Sequence, residues 1–331
     1  MKTKMTVSKF LQPLKKGKGR MTQIAWPREM FPLLALLGLV VIASILSPRF
    51  LTLFNIRNIL TQVSIIAMLA LGETFVILTG GIDLSPGSVL ALAGAITATL
   101  MKHAGLPVFV AILGGLATGV LCGTFSGLLV TRFKIPSFIA TLAMMSIARG
   151  GALLITKGIP ISSFPTSFRF IAQYLGPISV LTIIMFVFFG FAQILLSFTI
   201  FGRRVYAIGG NEEATRYSGV QVDRVKLIVF ALSGLCAALG GVMMDARLDA
   251  AYPVAGEGYE LDAIAACVLG GVSFTGGVGS TAGTLMGALI MTILGNVMNI
   301  LRISAFYQYV VRGLVLALAA MSLARGVKFA K

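Results

Sequence analysis

Charge is what this sequence has least of. Only 11% of its 331 residues are Asp, Glu, Lys or Arg, against about 25% in a typical soluble domain, and the shortage excludes a soluble globular fold. Acidic residues are scarcest, 11 against 27 Lys and Arg, with one histidine and three cysteines. Cys122, Cys236 and Cys267 are widely spaced, each inside an apolar run. They read as packing residues and not as a disulfide or zinc framework. His103 lies in a short connection between runs and reads as a solvated loop residue. The sequence has no G-x-x-x-x-G-K-[ST] loop, no H-E-x-x-H and no G-x-S-x-G elbow. Nucleotide hydrolysis by this chain, and enzymatic chemistry in general, therefore have no residues to rest on.

What the chain has in excess is apolar sequence: 57% hydrophobic residues and a mean hydropathy of +0.96. A membrane helix takes about 20 such residues to cross about 30 Å of hydrocarbon. Nearly uncharged runs cover roughly 30–48, 59–79, 84–101, 106–131, 135–156, 177–200, 227–244 and 305–323. The stretch 263–301 has no charge at all, and its length predicts two crossings with a break near Gly276-Gly277. The expectation is an all-α polytopic membrane protein of about ten transmembrane helices. Its parts are a basic N-terminal segment (1–30), a transmembrane domain (31–323) and a C-terminal tail (324–331). The basic region is long and no A-x-A site follows, so the first span is expected to be uncleaved.

The net charge of +16 has no aromatic interleaving of the kind that stacks bases, so nucleic acid is not an expected partner. Topology accounts for it better. With the N-terminus in the cytoplasm, segments 1–30, 132–134, 201–226 and the tail are inner and hold 18 Lys or Arg, while the outer segments hold seven. That bias puts both termini inside.

Gly115, Gly119, Gly123 and Gly127 recur every four residues, which lines one helix face with sites of close approach. A weak internal echo joins Thr79-Gly80-Gly81-Ile82 with Gly87 to Thr275-Gly276-Gly277-Val278 with Gly283. Transporters often break helices at equivalent points of two repeats. Glu73, Asp83 and Arg149 fall at membrane depth, where a charge is expensive. They are either beside a substrate route or structural. Within the inner loop 201–226, Asn211 suits a helix N-cap, Glu212 and Glu213 suit the positive end of the dipole, and Ser218-Gly219 offers a stop. A short helix is expected there.

Five segments in order are similar to a known family: Gly80-Gly81-Ile82-Asp83-Leu84-Ser85 with Gly87-Ser88; Ile135-Pro136-Ser137-Phe138-Ile139-Ala140-Thr141-Leu142; Arg149-Gly150; Tyr206-Ala207-Ile208-Gly209-Gly210-Asn211; and Gly258-Tyr259-Glu260-Leu261-Asp262-Ala263-Ile264-Ala265-Ala266. Over about 31–323 the chain resembles the permease subunits of bacterial ABC importers of the ribose type. The resemblance implies a bacterial inner-membrane subunit that carries a monosaccharide, a ribose-like pentose or a hexose. It implies a second permease copy or paralogue and a periplasmic or lipid-anchored sugar-binding protein. ATP and Mg would be bound by a separate ABC ATPase, with no cofactor or metal on this chain. Gly209, Gly210, Asn211, Glu212, Glu213 and Arg216 would then form the coupling helix that the ATPase grips.

The segment 245–262 holds Asp245, Asp249, Glu257, Glu260 and Asp262 against Arg247 alone. It is a candidate docking rim for the binding protein, or else a solvated loop. Candidate pathway residues, chosen because they are polar and lie in or beside spans, are Gln62, Thr79, Asp83, Ser85, Asn296 and Asn299. The rival readings are an ion-coupled secondary transporter using Glu73 and Asp83, and a same-family importer of a cargo other than sugar.

Overall fold

The computed structural model describes residues 30–326. The expectations for the basic N-terminal segment and for the tail beyond residue 326 lie outside the described residues. The elements run α1 (Met30–Leu46), α2 (Leu53–Leu78), α3 (Pro86–Lys102), α4 (Val108–Thr131), α5 (Ser137–Thr156), β1 (Ile161–Ser162), α6 (Thr166–Arg169), β2 (Tyr174–Leu175), β3 (Ile178–Ser179) and α7 (Val180–Phe198). There follow α8 (Ile200–Gly210), α9 (Glu212–Tyr217), α10 (Val222–Leu248), β4 (Ala250–Ala251), α11 (Tyr259–Leu269), α12 (Thr281–Ile300) and α13 (Ala305–Gly326). The strands form two small antiparallel pairs, β1 with β4 and β2 with β3.

Six helices, α2, α4, α5, α7, α10 and α12, are long and apolar enough to cross a membrane. α1, α3 and residues 305–319 of α13 are apolar but shorter. The run 263–301 departs from expectation. α11 has 11 residues, which at about 1.5 Å each reach about 16 Å, half the hydrocarbon thickness. Its start is set by Gly258 and its end by Gly270-Gly271, with Gly258 and Gly271 at positive φ. The break is therefore a loop over 270–280, and only α12 is a full-length span.

Burial sorts the helices. α2 has 83% of its most apolar window buried, whereas α4 and α5 each have 28%. A helix apolar all round belongs inside a bundle, and one with a single buried stripe belongs at its edge. α10 packs most extensively on α4, then on α2 and α3. The glycine stripe explains the first contact: a Cβ on Gly119 would meet the Gly234 carbonyl, and one on Gly123 that of Phe230. Cys236 and Cys267 are buried, Cys122 is half-buried, and all three are free. His103 is exposed just past α3.

Contacts assign the loops to two ends. At one, the Gly277 N–H donates to the Leu78 carbonyl at 2.9 Å, and Lys134 pairs with Asp223 at 3.0 Å. This end therefore holds the loops 79–85, 132–136 and 270–280 together with α8 and α9. At the other, Arg57 donates to the Gly176 carbonyl (3.1 Å) and Lys102 to that of Ser163 (2.8 Å). There too the Phe164 N–H donates to Asp249 (3.0 Å), and Arg149 to the carbonyls of Pro253 (2.8 Å) and Ala255 (2.9 Å).

Candidate functional site

The site grows from the α8–α9 elbow. Asn211 is extended, ends α8 and caps α9, its side-chain oxygen accepting from the Ala214 N–H at 2.9 Å. Glu212 and Glu213 occupy the first turn of α9, and Ser218 with Gly219, at positive φ, stops it. The helix expected from these residues is present.

What spacing could not reveal is where the elbow sits. A Cβ on Gly209 would meet the Leu78 carbonyl and the Gly277 amide, and one on Gly276 would lie 2.8 Å from the Gly209 Cα and 2.9 Å from the Gly80 nitrogen. The two glycine-rich connections of the internal echo thus meet at one glycine of the elbow. Tyr206 adds a bond from its hydroxyl to the Gly279 carbonyl at 2.9 Å. Backbone against backbone leaves no side chain to absorb movement, so a shift of α8 is transmitted to both connections.

A chain of ion pairs fastens α9 laterally. Glu212 binds Arg216 (3.0 Å) and Lys226 (2.6 Å), Arg216 binds Asp223 (3.1 Å), and Asp223 binds Lys134. Partial burial raises the Glu212 carboxyl, but its bonds to Lys226 and Arg216 outweigh this and hold it below the usual carboxylate range. The network borders a cavity of about 360 Å³ that Thr79, Gly80 and Pro136 also line. Arg216 and Glu212 are therefore engaged within the chain. Gly210 and Glu213 are exposed, and Glu213 has no ion pair among the described residues. Tyr217, 84% exposed, escaped the sequence reading. An aromatic on a short polar helix was the signal.

Behind the elbow, the Asp83 N–H donates to Glu73 at 3.2 Å. Asp83 accepts from the Ser85 N–H (2.9 Å), the Ser85 hydroxyl (2.6 Å) and the Ser233 hydroxyl (2.8 Å). Both carboxyls are buried, and neither has a cationic partner among the described residues.

The six pathway candidates divide. Thr79, Asp83 and Ser85 are buried in the connection after α2, with the Thr79 hydroxyl donating to the Val76 carbonyl. Gln62 and Asn299 line a cavity of about 240 Å³ near the opposite end, and Asn296 forms a paired amide contact with Asn55 at 2.8 and 3.0 Å. The docking candidates divide as well. Asp245 and Asp262 are buried, each 3% exposed, because they face the helix bundle. They do not belong to a rim, and Asp262 pairs with Arg312 at 2.7 Å. Asp249 and Glu260 are half-buried and Glu257 is exposed, which leaves these three as docking candidates.

Known proteins resemble this chain over most of its length. The ribose import permease protein RbsC of Escherichia coli K12 is 46% identical over 304 residues, covering 90% of this chain and 94% of the relative. RbsC of Bacillus subtilis 168 is 48% identical over 298 residues, covering 89% and 92%. The xylose transport system permease protein XylH of E. coli K12 is 37% identical over 329, covering 80% and 83%. Residues 55–320 also match the family described as "Branched-chain amino acid transport system / permease component". With six helices fit to cross a membrane and relatives of this identity and coverage, the chain belongs to that family of multi-pass transport permeases.

Proposed function

We propose that this chain is the membrane-spanning subunit of an ATP-driven importer that carries a monosaccharide of the ribose type, and that the α8–α9 elbow is where a separate ABC ATPase drives it. The observation that carries the mechanism is the contact of Gly209 with the Leu78 carbonyl and the Gly277 amide. Force applied to α9 reaches two loops, which between them join α2 to α3 and α11 to α12. Near-rigid tilting of those helices is a hinge-type switch between two accesses. ATP and Mg are bound by the ATPase, and this chain contributes geometry alone.

In this reading the elbow faces the cytoplasm of a bacterial inner membrane, both termini lie on that side, and ten helices traverse or enter the bilayer. The grouping of loops 132–136 and 199–221 at one end agrees with the positive-charge bias. A second copy or paralogue completes the pathway, and a periplasmic or lipid-anchored sugar-binding protein docks on the far end near Asp249, Glu257 and Glu260. The ion-coupled alternative is not favoured, since the relatives are import permeases of the transport-system kind.

The test is affinity capture of the co-expressed ATPase by the intact permease and by two variants. Glu213→Arg reverses an exposed charge that has no ion pair among the described residues, and Tyr217→Ala removes an aromatic anchor of the type that dominates interfaces. Capture is expected to fall at least tenfold in both, with unchanged membrane insertion. Undiminished capture would remove the coupling role.

A further inference from the structure

We propose that the cavity lined by α2, α10, α11, α12 and α13, at the end opposite the elbow, is a monosaccharide-binding station contained within one subunit. The inference rests on the transport reading above and locates its cargo. The cavity measures about 240 Å³, room for about eight waters at roughly 30 Å³ each. It is smaller than the roughly 300–1,000 Å³ of sites for drug-sized ligands, and its size suits a single sugar ring.

Its lining is largely polar in an otherwise apolar bundle: Gln62, Arg247, Tyr259, Asp262, Thr292, Asn299 and Arg312 line it beside a few apolar residues. Polar groups at membrane depth are expensive and mark routes for polar cargo. Two of these residues are under-used by the protein itself. Thr292 is 3% exposed, and its hydroxyl has no hydrogen-bond partner. A buried orphan hydroxyl costs free energy that an apolar residue of the same shape would not. Arg247 has no carboxylate within ion-pair distance among the described residues. Its one hydrogen bond runs to the Asn58 side-chain oxygen at 3.3 Å, an oxygen it shares with Gln62 at 3.0 Å, although a guanidinium offers five donors. Arg312, by contrast, is held by Asp262.

Guanidinium donors beside the Gln62 and Asn299 amides, which both donate and accept, match the hydroxyls of an aldose, which do the same. A binding protein that captures the sugar first sets the apparent KM. Loss of the station therefore lowers maximal uptake and leaves KM in place.

The test reconstitutes the complete importer, with its ATPase and binding protein, in proteoliposomes and measures uptake across a panel of radiolabelled pentoses and hexoses. Thr292→Val is isosteric and lacks the hydroxyl; Thr292→Ser keeps it. For the sugar the wild type carries best, Thr292→Val is expected to lower maximal uptake about tenfold, the equivalent of one lost hydrogen bond. KM should stay the same and the thermal midpoint should be equal or higher, while Thr292→Ser retains uptake within about twofold. In a background with its cysteines replaced, that sugar should also slow labelling of Asn299→Cys by an impermeant maleimide.

Wild-type uptake by Thr292→Val would overturn the station. So would a loss of uptake accompanied by a lower thermal midpoint and not restored by serine, which is the mark of a packing role. Protection of Asn299→Cys by a sugar acid and not by the aldose would overturn the neutral class of cargo. A wild type that moves no monosaccharide would instead sink the transport reading, and the station with it.

Discussion

The surface of the elbow and the cavity at the opposite end treat polar groups in opposite ways. At the elbow, charges are displayed and paired sideways, Glu212 to Arg216 and Lys226, Asp223 to Lys134, with side chains 43–61% exposed except Lys226 at 17%. Around the cavity they are drawn inward, with Asp262 at 4% side-chain exposure held by Arg312, and Thr292 and Arg247 part of the lining. Exposed pairs contribute little stability, so the first arrangement suits a surface that a partner handles. Buried polar groups must each find a partner. The second arrangement suits a place where a polar cargo completes the set.

The contrast breaks hardest at Asp262. Asp262→Ala leaves the Arg312 guanidinium without its carboxylate. Severing a buried pair costs about 3–5 kcal/mol, with the lower figure expected here because Arg312 is 33% exposed. The thermal midpoint of the detergent-solubilised protein should fall by several degrees. An unchanged midpoint would mean that this end is as wet as the elbow.

A smaller effect sharpens the elbow itself. Gly209→Ala forces a methyl against the backbones at Leu78 and Gly277, whereas Gly210 has nothing within 4 Å of its would-be Cβ. Overpacking costs about 1–3 kcal/mol, so Gly209→Ala should destabilise and uncouple uptake from ATP hydrolysis. Gly210→Ala should do neither. Equal behaviour of the two adjacent glycines would dissolve the backbone contact as a mechanical link.

The smallest effect is electrostatic. Lys226→Ala should loosen α9 by less than about 1 kcal/mol, read as faster hydrogen exchange of the α9 amides. Because the Glu212 carboxyl is held below its ordinary range, its pairing is fully present above that range and is lost only as pH falls through the lowered value. Exchange protection at pH 5 should therefore match that at pH 7 after correction for intrinsic rates. A drop by pH 5 would show the pair to be weaker than its geometry.

Much of the architecture was legible because its causes are local. Asn211, Glu212, Glu213, Ser218 and Gly219 specify α9 through caps and dipole, and Gly119 and Gly123 announce the close approach of α4 to α10. The candidate site was legible in part. The residues around Asn211 form the short helix expected of them, but Asp245 and Asp262 looked like a rim only because acidity along the chain says nothing about which way a side chain faces. Arg247, Thr292 and Arg312 come from three helices and meet only in space.

The sequence by itself determined that this chain is built of apolar helices long enough to span a bilayer, roughly where most of them begin, and which short polar segment forms an exposed helix between two of them. Solvent, helix propensity and capping act over a turn or a span, so they are written in neighbouring residues. Tertiary structure decided that α11 stops halfway, that Gly80, Gly209 and Gly276 converge, and that a polar cavity opens among five helices. Those outcomes depend on which backbones can touch across separations of tens to hundreds of residues, a matter of packing that no stretch of sequence records.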